Sequence, residues 1–287
     1  MYDSGKHTEI VDLSNHGFNC DLPDFPLEIA YAAGGIVNGI PTICGGAYSN
    51  ISQADGSETI LDKNKYCYAF QNRSWNKMGK SLVEPKFYFG TGNVVMKDKL
   101  LIHGGLTKDI QDTTFSFAES SEWIGSNTKS SPLDTFPAAV GSHCNIRINK
   151  THFMMTGGMV PLGIAKLTND TNVTGNTYFC QTDLKCSPGP RLNHPRKSHG
   201  CYQRTISGKQ FLFVIGGYID NHIANSSHDV EFLDMSENSS KRQWTLGEFL
   251  LSNAATILLL QNHGSRLLPT DLKYSWTHGY HDNYGKR

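Results

Sequence analysis

Twelve histidines and seven cysteines carry most of the reactive chemistry open to this 287-residue chain. The histidines are scattered, and no HExxH or paired CxxC supplies the ligand spacing a zinc site needs. The densest group, His194 and His199 in "NHPRKSHG", reads as a solvated linker between strands. No GxSxG elbow, P-loop or GxGxxG fingerprint occurs in its strand-to-helix setting. The expectation is a chain with no catalytic residue, no metal site and no cofactor. What the cysteines offer instead is disulfide formation, and a second group of residues offers modification. Seven Asn-X-Ser/Thr sequons stand at Asn50, Asn72, Asn149, Asn169, Asn172, Asn225 and Asn238. This Asn, Ser and Thr content would give about three or four by chance.

Cysteines and sequons together point to an extracellular protein, the alternative being a Ser/Asn-rich cytosolic protein with buried thiols. The N-terminus, "MYDSGKHTEI", lacks the apolar core of a secretory signal, so it reads as a cytosolic start, a mature fragment or an incomplete gene. Lys plus Arg equals Asp plus Glu at 26 each, which leaves no basic stripe for nucleic acid or an anionic membrane. The longest apolar stretch, around Ala254 to Leu260, is far short of the roughly 20 residues of a spanning helix, so no membrane span is expected.

The elements that must position these residues repeat. A glycine doublet closes an apolar, β-branched run at Gly45–Gly46, Gly104–Gly105, Gly157–Gly158 and Gly216–Gly217, at separations of 59, 53 and 59 residues. A doublet weakens a strand, so its recurrence predicts positive φ or close backbone packing. Each run is preceded by another strand and a turn former, Asn38-Gly39, Lys97-Asp98, Asn149-Lys150 or Ser207-Gly208, so each unit begins with a hairpin. After each doublet comes a polar loop, a short aromatic strand and a strand that usually carries Trp. The aromatic pairs are Tyr68 with Trp75, Phe117 with Trp123 and Phe232 with Trp244, while Tyr178 has Cys186 near the Trp slot. Four strands per unit of about 50 to 60 residues is a propeller-blade signature.

This pattern resembles the kelch repeat, in which a four-stranded blade carries a glycine doublet after its second strand and a spaced Tyr and Trp later. The resemblance implies an all-β fold, a single kelch-type β-propeller over residues 1–287. Its four full blades span about 30–79, 88–125, 138–187 and 198–246. Residues 8–22 resemble the later half of a blade and 253–280 the first half, so a composite fifth blade would join the termini and hide both sheet edges. A fragment of a six- or seven-bladed ring is the rival. In family terms the doublets and aromatics are residues of the fold.

Strand placement then pairs cysteines. Cys44 ends a second strand and Cys67 begins its antiparallel neighbour, while Cys180 and Cys186 face each other across a short hairpin. Cys144 and Cys201, on first strands of consecutive units, pair or stay as small buried apolar groups, and Cys20 is left over. Function follows from the resemblance alone: a non-enzymatic scaffold that binds a protein or glycan through rim loops. The loops joining second and third strands are long, notably Ala47 to Lys65 and Met159 to Thr177, but both are polar and the latter carries two sequons whose glycans would block it, so the expected ligand face uses unglycosylated loops. An intracellular kelch substrate adaptor and a carbohydrate-active propeller enzyme are the alternatives. The Ser-x-Asp-x-Gly-x-Thr-Trp box of sialidase propellers is absent.

Overall fold

A computed structural model of the chain describes residues 8, 10–12, 17–19, 22–51, 58–87, 89–90, 93–108, 115–118, 120–125, 140–162, 171–220 and 226–250. Among the described residues the protein is all-β, built of several small antiparallel sheets with no α-helix. Four of these sheets follow the repeat. The first is a meander of Ala33–Val37, Ile40–Cys44, Tyr66–Gln71 and Ser74–Ser81. The third joins Cys144–Arg147, His152–Thr156, Thr177–Gln181 and Cys186–Pro188 in the same order. The fourth joins Gly200–Ile206, Lys209–Ile215, Asp229–Asp234 and Thr245–Leu250.

The second sheet corrects the sequence reading. Its described strands are Val95–Met96, Lys99–His103 and Ser121–Ile124. Trp123 therefore lies in the third strand, opposite Leu101, and not in a fourth. Phe117 lies outside the sheet, on Phe115–Phe117, which pairs with Leu106–Lys108 as a separate ribbon. The cause is register: Ala118 N–H donates to Gly105 O at 3.0 Å, so the chain is held beside the doublet and strand three starts just beyond it. The stretches read as polar loops are likewise ribbons in part, Ala47–Ile51 with Glu58–Lys63 and Met159–Pro161 with Thr171–Val173. Near the N-terminus Ile10–Asp12 pairs with Gly17–Asn19, whereas 251–287, and with them the C-terminal half of the expected composite unit, lie outside the described residues.

The sheets stack face to face in chain order. In the second strand "KLLIH", Leu100 and Ile102 pack with Ala33, Val37, Cys44 and Cys67 of the first sheet. Leu101, one residue out of step, packs with Phe153, Met155 and Cys180 of the third. That is the period-two consequence of a strand buried on both faces, and it explains why these runs are apolar without alternation. The third and fourth sheets meet through Ile146, Met154, Leu212, Val214 and Leu233.

The doublets set the spacing between sheets. All eight glycines have φ between 56° and 109°. The second of each pair turns its N–H to the carbonyl that leads into the next sheet: Gly46 to Lys86 at 2.9 Å, Gly105 to Val140 at 2.8 Å and Gly158 to Arg196 at 2.8 Å. The following residue bridges to the residue entering its own sheet, as Ala30 with Ala47, Phe87 with Leu106, Gly141 with Met159 and Lys197 with Tyr218. There is no room for a side chain at these points. A Cβ on Gly217 would lie 2.5 Å from Lys197 O and 2.8 Å from His199 Cβ.

Two substitutions separate the causes. Gly217→Val meets both wrong φ and backbone collision and is expected to cost about 3 kcal/mol or more. Gly208→Ala, at φ 79° with nothing within 4 Å of the new Cβ, carries only the left-handed penalty of about 1 kcal/mol. Urea unfolding of both variants measures the difference; equal losses would contradict the packing account.

Candidate functional site

A cavity lies where the chain enters the fourth sheet. "HPR" there places three side chains by three different forces. Pro195 fixes an extended entry. Arg196 turns inward and is fully buried: Nη2 bonds Glu231 at 2.6 Å, while Nη1 donates to Gly216 O at 3.0 Å and Ser227 Oγ at 3.1 Å. Glu231 also accepts from Asn193 N at 2.8 Å, Asn193 Nδ2 at 2.9 Å and His194 N at 3.1 Å. A buried ion pair is tolerated when its remaining donors and acceptors are satisfied in this way.

With Arg196 held from behind, His194 faces outward. Its Nδ1 meets Asp229 Oδ2 at 2.7 Å, with 46% of the histidine side chain and 31% of the aspartate exposed. His194, Pro195, Ile219, Ser226, Ser227 and Asp229 line a cavity of about 750 Å³. The carboxylate orients the ring and leaves Nε2 as its second hydrogen-bonding position. Ser227 Oγ is engaged on the same carboxylate: it accepts from Arg196 Nη1 at 3.1 Å and from Asp229 N at 3.2 Å, and donates to Asp229 Oδ2 at 3.5 Å. The arrangement therefore offers oriented donors and acceptors over an apolar floor of Pro195 and Ile219, which is a binding site's chemistry.

The second sheet has the same clamp. Lys86 is fully buried, 3.2 Å from Glu122 and 2.9 Å from Ser120 O, and Glu122 Oε2 accepts from Val83 N at 2.9 Å. Sequence reasoning missed both clamps. The signal was present as two in-phase dipeptides, Pro85-Lys86 and Pro195-Arg196, each just ahead of a first strand. At the position of Glu122 and Glu231 the first and third sheets carry Tyr68 and Tyr178.

His199 is not part of a solvated linker, as expected, but is fully buried, with Nε2 2.9 Å from Thr156 Oγ1. It belongs to a set of three buried imidazoles with His103 and His143, the last two 5.3 Å apart, edge to face. Burial pushes all three below their ordinary range. His143 falls to about 4; at His103 and His199 burial is followed by neighbouring positive charge, Lys86 and Arg196 among it.

The remaining predicted residues serve packing or the surface. Cys44–Cys67 and Cys180–Cys186 are disulfides between directly paired residues, each with Cα atoms 4.1 Å apart. Cys144–Cys201, left open by the sequence, is a third disulfide and ties the third sheet to the fourth. Cys20 lies outside the described residues. Trp123 and Tyr178 pack between the second and third sheets, and Trp244 between the third and fourth, its Nε1 donating to Pro190 O at 2.9 Å. Tyr68 and Trp75 instead pack on Phe25, both rings 5.0 Å from it. Phe117 is buried with Phe87, Leu106 and Met159. Phe232 stands 6.1 Å from Phe211 and 6.3 Å from Phe213 on the other face of the fourth sheet. Asn72, Asn149, Asn172 and Asn238 are exposed; Asn50 lies on a ribbon strand, and Asn169 and Asn225 fall outside the described residues. Among the described residues no three His, Cys, Asp or Glu side chains gather as a metal site, and no helix is long and apolar enough to cross a membrane.

No known protein-family model matches the chain, and no curated protein is significantly similar to it.

Two outcomes are expected. Arg196→Leu alone should destabilise by about 3–5 kcal/mol, because Glu231 is left buried and unpaired, and Glu231→Leu added to it should recover much of the loss. The unfolded chain binds a proton at His143 near 6.5 while the folded chain binds it only near 4. Stability is therefore lost as pH falls through that window, by about 3 kcal/mol from this group. Urea midpoints at pH 7 and pH 4 for wild type and His143→Gln test it; an unchanged difference would remove His143 as a cause.

Proposed function

We propose that the four stacked sheets are blades of a kelch-type β-propeller, and that the protein is a non-enzymatic extracellular scaffold binding a protein or glycan. The observation that carries this reading is repetition in phase. Every unit has the same doublet geometry and the same bridge to its own entry residue. The first three also reach the next unit through the same hydrogen bond. Sheets that stack face to face through such a repeat place their first strands side by side, as those of the first and second sheets and of the third and fourth do. The two end faces of the stack bear on ring closure. Phe25 covers Tyr68 and Trp75 at one end of the stack. At the other, Tyr202, Phe211, Phe213 and Phe232 form a partly exposed aromatic face of the kind a further blade covers.

The extracellular reading rests on the three disulfides, which persist in oxidising compartments. Closing loops of 23 and 57 residues in sequence separation, the Cys44–Cys67 and Cys144–Cys201 bridges contribute on the order of 3 and 4 kcal/mol. The His194–Asp229 cavity, whose lining includes Ile219 and Ser226 from the segment between the second and third strands, is a candidate ligand face. A sequon at Asn225 borders this cavity in sequence, so the glycan state of that residue bears on access.

Peptide mass spectrometry under non-reducing conditions tests the reading, on protein from a eukaryotic secretory host supplied with a signal peptide. The expected result is occupied sequons with all three bridges formed. Bare asparagines and free thiols in a soluble, folded product would favour the intracellular adaptor.

A further inference from the structure

Three imidazoles lie buried where the second, third and fourth sheets meet. The bridges that mark each sheet's entry put Ala32, Phe89, His143 and His199 at one equivalent position, two residues past the bridging residue. The residue just ahead of the doublet is Cys44, His103, Thr156 or Ile215. These two positions meet wherever one sheet joins the next. At the first joint Phe89 lies with Cys44 in an apolar core. At the third, His199 Nε2 stands 2.9 Å from Thr156 Oγ1. Of the three joints, the middle one sets imidazole against imidazole, His103 and His143, with ring centroids 5.3 Å apart. His103 Nδ1 is 2.7 Å from Ser121 Oγ, while Nδ1 of His143 is buried with no hydrogen-bond partner among the described residues.

The joints also differ in what else ties them. First strands lie side by side at the first and third joints, and the third is closed covalently by Cys144–Cys201. Among the described residues no disulfide crosses the middle joint. It is held by the Gly105 to Val140 hydrogen bond and by apolar packing, Val94, Met96 and Leu101 on Phe153 and Met155, and Leu106 on Met159. We propose that the joint between the second and third sheets is an acid-opened hinge, at which protons taken up by His143 and His103 part these two sheets while the third and fourth stay together. The physical reason is that a charged imidazole is stable only where water or an anion reaches it. Besides one another, the charges that act on the three rings are cations, Lys86 at His103 and Arg196 at His199. Their carboxylates, Glu122 and Glu231, are already engaged in the two clamps. Opening gives the ring to water, so the open form binds a proton near the ordinary 6.5, whereas the closed form binds it at His143 only near 4. The closed form is therefore fully favoured above that range and loses ground as pH falls into it. Between pH 7.4 and pH 5 His143 alone raises the opening equilibrium about thirtyfold. His103, held well below its ordinary range first by burial, adds to the effect. The hinge goes beyond the scaffold reading and needs only the stacked sheets.

The doublet amides report the joints separately, since Gly46 N–H bonds across the first, Gly105 across the second and Gly158 across the third. Hydrogen exchange of these three amides tests the hinge, measured on the full, disulfide-bonded chain at pH 7.4 and pH 5 and corrected for the intrinsic effect of pH. Gly105 should lose protection by about thirtyfold or more at pH 5, and Gly46 and Gly158 by at least about tenfold less than Gly105. His143→Phe, which supplies the side chain that Phe89 provides at the first joint, should abolish most of the loss at Gly105. His103→Thr, after Thr156 at the third joint, should also reduce it. The comparison of the three amides in the wild type stands if a variant fails to fold. Equal loss at all three glycines would mean a general weakening by acid and overturns the hinge. So does unchanged protection at Gly105, or a loss there that is undiminished in the folded variants.

Discussion

The hydrogen bond from the second glycine of a doublet to the carbonyl at the next sheet's entry is the contact on which the rest of this structure depends. It is short, it recurs from Gly46, Gly105 and Gly158, and it exists only because no Cβ intervenes. Positive φ points each N–H out of its own sheet and toward the neighbour. The distance between sheets is thereby set by backbone, and the apolar side chains fill what is left. Once that distance is fixed, a run such as "KLLIH" can bury both faces, one against each neighbour.

The units hold their entry segments by different chemistry at equivalent places. The second and fourth sheets use a buried cation and a glutamate of the third strand, Lys86 with Glu122 and Arg196 with Glu231. The first and third sheets carry tyrosines there and have an internal disulfide, Cys44–Cys67 or Cys180–Cys186. Both devices restrain the third strand, one enthalpically through satisfied charge, the other by restricting the unfolded chain. The ionic device has a by-product at the surface. Where Arg196 is drawn inward, its neighbour His194 is presented outward to Asp229, and a cavity opens beside them.

Much of the fold was legible because it is carried by local rules that repeat. The doublets, the hairpin turns and the cross-strand cysteines are each readable from neighbours within one unit. Phe117 and Trp123 were misplaced because their positions depend on where the chain resumes pairing after the doublet, which the Ala118 to Gly105 bond decides. His199 was taken for a surface residue since "PRKSHG" is polar throughout, yet it lies under the doublet of the preceding sheet. Polarity is a poor guide to burial where partners come from another unit.

The amino-acid sequence by itself determined the all-β class, the repeat and its period, and two of the cysteine pairs, because glycine stereochemistry and strand alternation act over a few residues. Only the tertiary structure decided the Cys144–Cys201 bridge, the two buried ion pairs, the histidine set and the surface cavity. Each of these joins groups from different sheets or from distant parts of one sheet, such as Lys86 and Glu122 at 36 residues apart. Charge balance, spacing and composition carry no information about which side chains meet once the sheets stack, and it is that meeting which sets burial, protonation and the shape of a site.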